Sequence, residues 1–89
     1  MDILPLGNAG DVRMKHIELK TVKEIGNLVR DERKRQNVTQ LQLAGLAGTG
    51  IRFVSDLENG KGTIQVQKLL KIVHTLGLGL FVFSPWENE

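Results

Sequence analysis

Arg52 and Asp56 stand four residues apart, one turn if the segment is helical, in a chain that otherwise offers little reactive chemistry. A guanidinium is a rigid fork of N–H donors that matches guanine O6 and N7, a phosphate, or a carboxylate four residues away on one helix face. Both uses stand for Arg52: a base or phosphate contact, or a surface ion pair with Asp56 worth about 0.3–0.5 kcal/mol. Asp56 is then either neutralised in that pair or an acceptor for the N4 amino group of a cytosine. Around them, the hydroxyls of Thr49 and Ser55 suit a base edge or a phosphate, Ile51 suits a thymine methyl, and Lys61 adds positive charge.

Enzymatic chemistry finds no support. No acid/base pair falls on one face, no glycine-rich loop follows a strand, and no Ser/His/Asp arrangement occurs. His16 and His74 are too far apart in sequence to suggest a metal site, so structural or solvent-exposed roles are expected. Cysteine is absent, which removes disulfides, Cys-ligated zinc and a thiol nucleophile. Neither a metal nor a cofactor is expected.

The elements that position these residues are legible from period and caps. Thr21-Val-Lys-Glu24 and Thr39-Gln-Leu-Gln42 are capping boxes. The first opens a helix over about 22–36, with Val22, Ile25, Leu28 and Val29 at helical spacing and the mixed-sign run Arg30–Arg35 reading as a solvated face, or in second place as phosphate contacts from Arg33, Lys34 or Arg35. The second opens a short helix through Leu43, Ala44 and Leu46 to Ala47, closed by Gly48-Thr49-Gly50. Residues 51–58 are helical again, and Asn59-Gly60 ends them with residues that accept positive φ. Thr63 predicts the cap of a helix over about 64–76, with Val66, Leu69, Leu70, Ile72, Val73 and Leu76 on its buried face. Two strands are also predicted: Val12–Lys20 from its alternation, and Leu78–Phe83 from its β-branched and aromatic content.

Two short helices joined by a glycine turn, with one helix before and one after, make a helix-turn-helix, in which a tight crossing at small Ala44 aims the second helix at a DNA major groove. The string Thr39-Gln40-x-x-Leu43-Ala44-x-x-x-Gly48 followed by Val54-Ser55-x-Leu57-Glu58-Asn59-Gly60-Lys61 resembles the Cro/λ-repressor (XRE) family over about Val22–Leu76. The continuation to Gly77–Val82 is most similar to HipB-type antitoxins. Lys61-Gly62-Thr63 departs from the pattern, in which Pro follows the Lys.

The resemblance implies a mainly α fold: a four- to five-helix λ-repressor-like domain with a C-terminal β-strand pairing across a dimer. It places Gln40 on backbone phosphate and Asn59 on phosphate from the loop. It sets Gly50, Ile51, Arg52, Ser55 and Asp56 on the exposed start of the reading helix, and gives Glu58 a structural role at its end. It implies operator DNA as partner, a homodimer through Leu80, Phe81, Val82 and Phe83, and a HipA-like serine/threonine kinase toxin. The function implied is an operator-binding repressor serving as the antitoxin of a type II toxin-antitoxin operon. A stand-alone XRE or phage-type repressor is the alternative, followed by an interaction module without DNA binding.

Length and charge fit this division. Eighty-nine residues make one small domain, which buries only about 60–65% of its unfolded surface, so stability shared with a partner is expected. Net charge is only +2, but nine basic and five acidic residues lie between Thr21 and Thr75. The tail holds only Glu87 and Glu89. The expected organisation is an arm (1–20), a DNA-binding domain (21–77), and a dimer strand with acidic tail (78–89). In that tail Trp86, the only tryptophan, either anchors in a toxin pocket or folds back on its own strand. No run reaches the roughly 18–20 apolar residues of a membrane span, and no signal peptide is evident, so a cytoplasmic protein without membrane contact is expected.

Overall fold

Both predicted capping boxes form. Thr21 Oγ1 accepts from the Glu24 N–H at 3.1 Å while the Glu24 carboxylate accepts from the Thr21 N–H at 3.2 Å. Thr39 and Gln42 repeat the exchange at 3.0 and 2.9 Å. They start the first two of four helices in a computed structural model that describes residues 16–85. In order these are α1 (Val22–Arg35), α2 (Gln40–Ala47), α3 (Ile51–Glu58) and α4 (Val66–Thr75).

All four helices end in one way. A left-handed residue follows each: Asn37 (φ 59°), Gly48 (φ 73°), Gly60 (φ 73°) and Gly77 (φ 79°). The next N–H then reaches back five residues, from Val38 to Arg33, Thr49 to Ala44, Lys61 to Asp56 and Leu78 to Val73, at 2.9–3.1 Å. This closure satisfies carbonyls that a helix end would otherwise orphan. It also makes the connections short enough to hold the helices at fixed angles.

The core lies where α3 packs on α1 and α2, and α2 on α4. Leu43, Val54, Leu57 and Ile72 are fully buried, and Ala44 is 2% exposed. Gly26 explains the closest approach. A Cβ there would overlap the Leu57 carbonyl oxygen, so α1 rests directly on the backbone of the last turn of α3. Glycine inside a helix costs about 1 kcal/mol relative to alanine, and here that cost is the condition of the contact.

Two sequence expectations are corrected. The fourth helix begins at Val66, not near residue 64, and Gln65 rather than Thr63 occupies its cap without a side-chain hydrogen bond. Ile64 is instead a loop residue packed against the core, and Val66, expected in the buried face, is 64% exposed. The N-terminal strand is not formed over residues 16–20, and its residues 12–15 lie outside the described ones. Residues 78–84 also form no strand in the single chain. A strand needs a neighbour to satisfy its N–H and C=O groups, and no ladder forms among the described residues. No helix among the described residues is long and apolar enough to cross a membrane.

Candidate nucleic-acid interface

The outward face of α3 begins at Gly50, which enters the helix without a side-chain cap. Ile51 is 46% exposed beside it, and the Arg52 side chain is 89% exposed on the first turn. Ser55 and Asp56 follow on the next turn, both half-buried. Thr49 lies in the turn before α3 and donates its hydroxyl to the Gly50 carbonyl at 3.4 Å. Asn59 and Lys61 project from the loop after it, exposed. The loop is pressed against α1, since a Cβ on Gly60 would come within 3.0 Å of Lys23 Cα and Cβ. That contact sets Lys23 beside the loop that carries Lys61. Gln40, Ile51, Lys34, Thr39 and Leu41 line one open groove between the starts of α2 and α3.

The Arg52–Asp56 separation is 4.0 Å, and Lys61 Nζ lies 3.9 Å from the other Asp56 oxygen. Both are ion pairs at their outer limit, without direct hydrogen bonds. Asp56 therefore sits between two exposed cations and accepts a direct hydrogen bond from neither.

Beneath this face lies a cluster that sequence reasoning missed. Glu58, 2% exposed, receives Arg33 Nε at 2.6 Å and Arg33 Nη2 at 3.0 Å on its two oxygens. Gln40 Nε2 donates to the same carboxylate at 2.9 Å, and Arg30 Nη2 donates to the Glu58 carbonyl at 3.3 Å. Arg33 spends its remaining Nη1 on the Val38 carbonyl at 2.8 Å. One carboxylate thus ties α1, the start of α2 and the end of α3 together. Burial alone would raise the Glu58 pKa. The hydrogen bonds from Arg33 and Gln40, with the charges of Arg33 and Arg30, outweigh it and leave the group below the ordinary carboxylate range. The hydrogen bond to Glu58 outweighs desolvation at Arg33 and raises its already high value.

Glu58 has the helix-end structural role that the family resemblance implied. Arg33 does not belong to a solvated face as expected; it is 8% exposed. The signal was present in the helical period. Val22, Gly26 and Val29 lead at spacings of four and three to position 33, so Arg33 falls on the core stripe and needs a buried acid. Phe53 is half-buried against the core, with Lys68 Nζ 5.8 Å from its ring centroid.

The other expected site residues do not join this face. Leu80, Phe81, Val82 and Phe83 follow α4 without regular secondary structure and are 49–96% exposed. The His16 ring meets Phe83 edge-on at 5.9 Å. Trp86 lies outside the described residues. No group of acidic, His or Cys side chains among the described residues is placed to hold a metal.

Comparison with known proteins agrees with this geometry. The helix-turn-helix family model HTH_3 matches residues 29–83. An HTH-type transcriptional regulator of Sinorhizobium fredii, y4mF, is 49% identical over 71 residues, which cover 80% of this chain and 93% of the relative. The 10 kDa protein of the ImmF control region of Bacillus phage phi105 is 31% identical over 67 residues, covering 75% of this chain and 74% of its own. Among solved structures, the HipA–HipB–O2–O3 complex contains a chain of similar fold, with a TM-score of 0.71 and 20% identity. The match covers 79% of this chain and 99% of that one.

Proposed function

The chain belongs to the XRE-type helix-turn-helix family of transcriptional regulators, and from that membership we propose that it is a sequence-specific operator-binding repressor. A single observation carries the reading: Arg52 stands 89% exposed on the first turn of a helix whose far end is locked by buried Glu58. A reading helix needs both, a free donor fork at its start and a frame that keeps the helix from swinging. In this role Arg52, Ile51, Gly50, Ser55 and Asp56 meet base edges. Gln40, Thr49, Asn59 and Lys61 meet phosphate. Gln40 is pre-set for it by its hydrogen bond to Glu58.

Arg52→Ala is expected to weaken operator binding by about 1–3 kcal/mol and to leave binding to random duplex nearly unchanged. Titration of labelled duplexes by fluorescence anisotropy measures both. An equal loss on both duplexes would reduce Arg52 to a phosphate contact.

The operator-bound form is a dimer in this proposal. Four large apolar residues in sequence, Leu80–Phe83, are costly to leave in water on so small a domain. Pairing with the same segment of a second chain covers them and supplies the missing strand partner. Two reading helices then lie about 34 Å apart, on half-sites one turn apart. Sedimentation at micromolar concentration is expected to show a dimer, and Phe81→Ser with Phe83→Ser a monomer. A wild-type chain that sediments as a monomer rejects this part.

We place the repressor in a type II toxin-antitoxin operon, with a HipA-like kinase as second partner and the tail around Trp86 facing it. The support is the HipB-like run from Leu57 to Val82 in the sequence. The phage phi105 relative favours a second reading, a phage-type repressor acting alone. The neighbouring gene separates them: a kinase-like reading frame for the antitoxin, phage genes for the repressor.

A further inference from the structure

Asp56 carries the one charge on the exposed face of α3 that works against a polyanion. A carboxylate facing DNA is repelled unless a donor meets it. Its distances to Arg52 and Lys61, 4.0 and 3.9 Å, are too long for direct hydrogen bonds. Among the described residues no hydrogen bond reaches either of its side-chain oxygens. Asp56 therefore keeps unused acceptor capacity, one helical turn from an Arg with unused donors.

We infer that Arg52 and Asp56 act as one unit that reads a G·C-bearing step. Arg52 donates to guanine O6 and N7, and Asp56 accepts from the cytosine N4 amino group. This rests on the DNA-binding reading above and specifies its base chemistry. A carboxylate has acceptors only, so the major groove offers it two partners, cytosine N4 and adenine N6. Adenine sets its N7 acceptor directly beside N6, where it would face the second carboxylate oxygen. Cytosine flanks N4 with a C–H on one side. On the other lies guanine O6, and Arg52 covers that oxygen. Residues four apart on a helix hold their Cβ atoms about 5–6 Å apart, so the two side chains span neighbouring edges while remaining an ion pair. Lys61, on the far side of Asp56, offsets its charge toward the phosphates.

The test is selection of bound sites from randomised duplexes by the full chain and by Arg52→Ala, Asp56→Ala and Asp56→Asn. The wild-type sites are expected to carry a guanine and a cytosine in the same or adjoining pairs. Arg52→Ala loses the guanine. Asp56→Ala keeps the guanine and loses roughly tenfold discrimination at the cytosine. Asp56→Asn moves that position toward adenine, whose N6 and N7 suit an amide. An Asp56→Ala profile that retains the cytosine, with uniformly tighter binding, would make Asp56 a repulsive charge only and overturn the inference. A wild-type chain that enriches no sequence would instead overturn the DNA-reading function itself. Thermal melts of the three variants, at an exposed Arg52 and a half-buried Asp56, verify that each is folded.

Discussion

Replacing Glu58 with alanine is expected to cost about 3–5 kcal/mol of folding stability, because it leaves the Arg33 guanidinium buried without its acid. For a chain of 89 residues the whole folding free energy is roughly 4–13 kcal/mol, so the variant sits near or past unfolding. The loss is not that of one ion pair. Arg33 loses two hydrogen bonds, Gln40 loses its anchor at the start of α2, and Arg30 loses the charge 3.8 Å from its Nε. Denaturant unfolding followed by circular dichroism measures this. Glu58→Gln keeps the shape and serves where the alanine variant does not fold. A double exchange, Arg33→Met with Glu58→Leu, is expected to recover much of the loss, since an apolar pair needs no partner. Recovery of folding without recovery of operator binding would assign Gln40's anchor to function.

The same group sets the acid limit. The Glu58 carboxyl is held below its unfolded value in the native chain, so the unfolded chain takes up the proton first as pH falls. The pair's contribution is whole above roughly pH 5 and is lost as pH drops through the folded value. Glu58→Gln is expected to flatten this part of the stability profile. An unchanged acid limb would remove Glu58 as its source.

Raising salt from about 50 to 200 mM is expected to weaken operator binding by about 10³-fold. Each Lys or Arg that neutralises a phosphate releases condensed counterions, with a slope near 0.9 per contact. Lys23, Lys34 and Lys61 are exposed on or beside the candidate face of each protomer. A dimer brings twice that number, and a fourfold salt change then yields roughly three decades. A monomer with the same contacts would lose only about 40-fold. The slope therefore counts protomers on DNA as well as contacts. A flat salt response would leave the interaction-module reading as the better one.

Much of this fold was legible because its punctuation is local. A Thr with a Glu or Gln three residues on, and a Gly or Asn after the last periodic residue, act within one turn of chain. The caps at Thr21 and Thr39 and the stops at Gly48 and Gly60 needed no distant partner. The fourth helix was misplaced for the opposite reason. Thr63 has the right chemistry for a cap, but burying Ile64 against the core outweighed it and delayed the helix to Val66. The strand expected over residues 78–83 was legible only as propensity, and no ladder among the described residues realises it.

The sequence by itself determined the helix-turn-helix order, the turn between α2 and α3, and the exposed residues that face outward from α3. These follow from period and capping, which are properties of adjacent residues. Only the tertiary structure decided how that helix is aimed. Arg33 and Glu58 are 25 residues apart in the chain, and Gly26 meets Leu57 across two helices. Nothing in the spacing of either pair announces the contact, because a buried ion pair and a missing side chain acquire meaning only when packing brings their partners within a bond length of each other's surface.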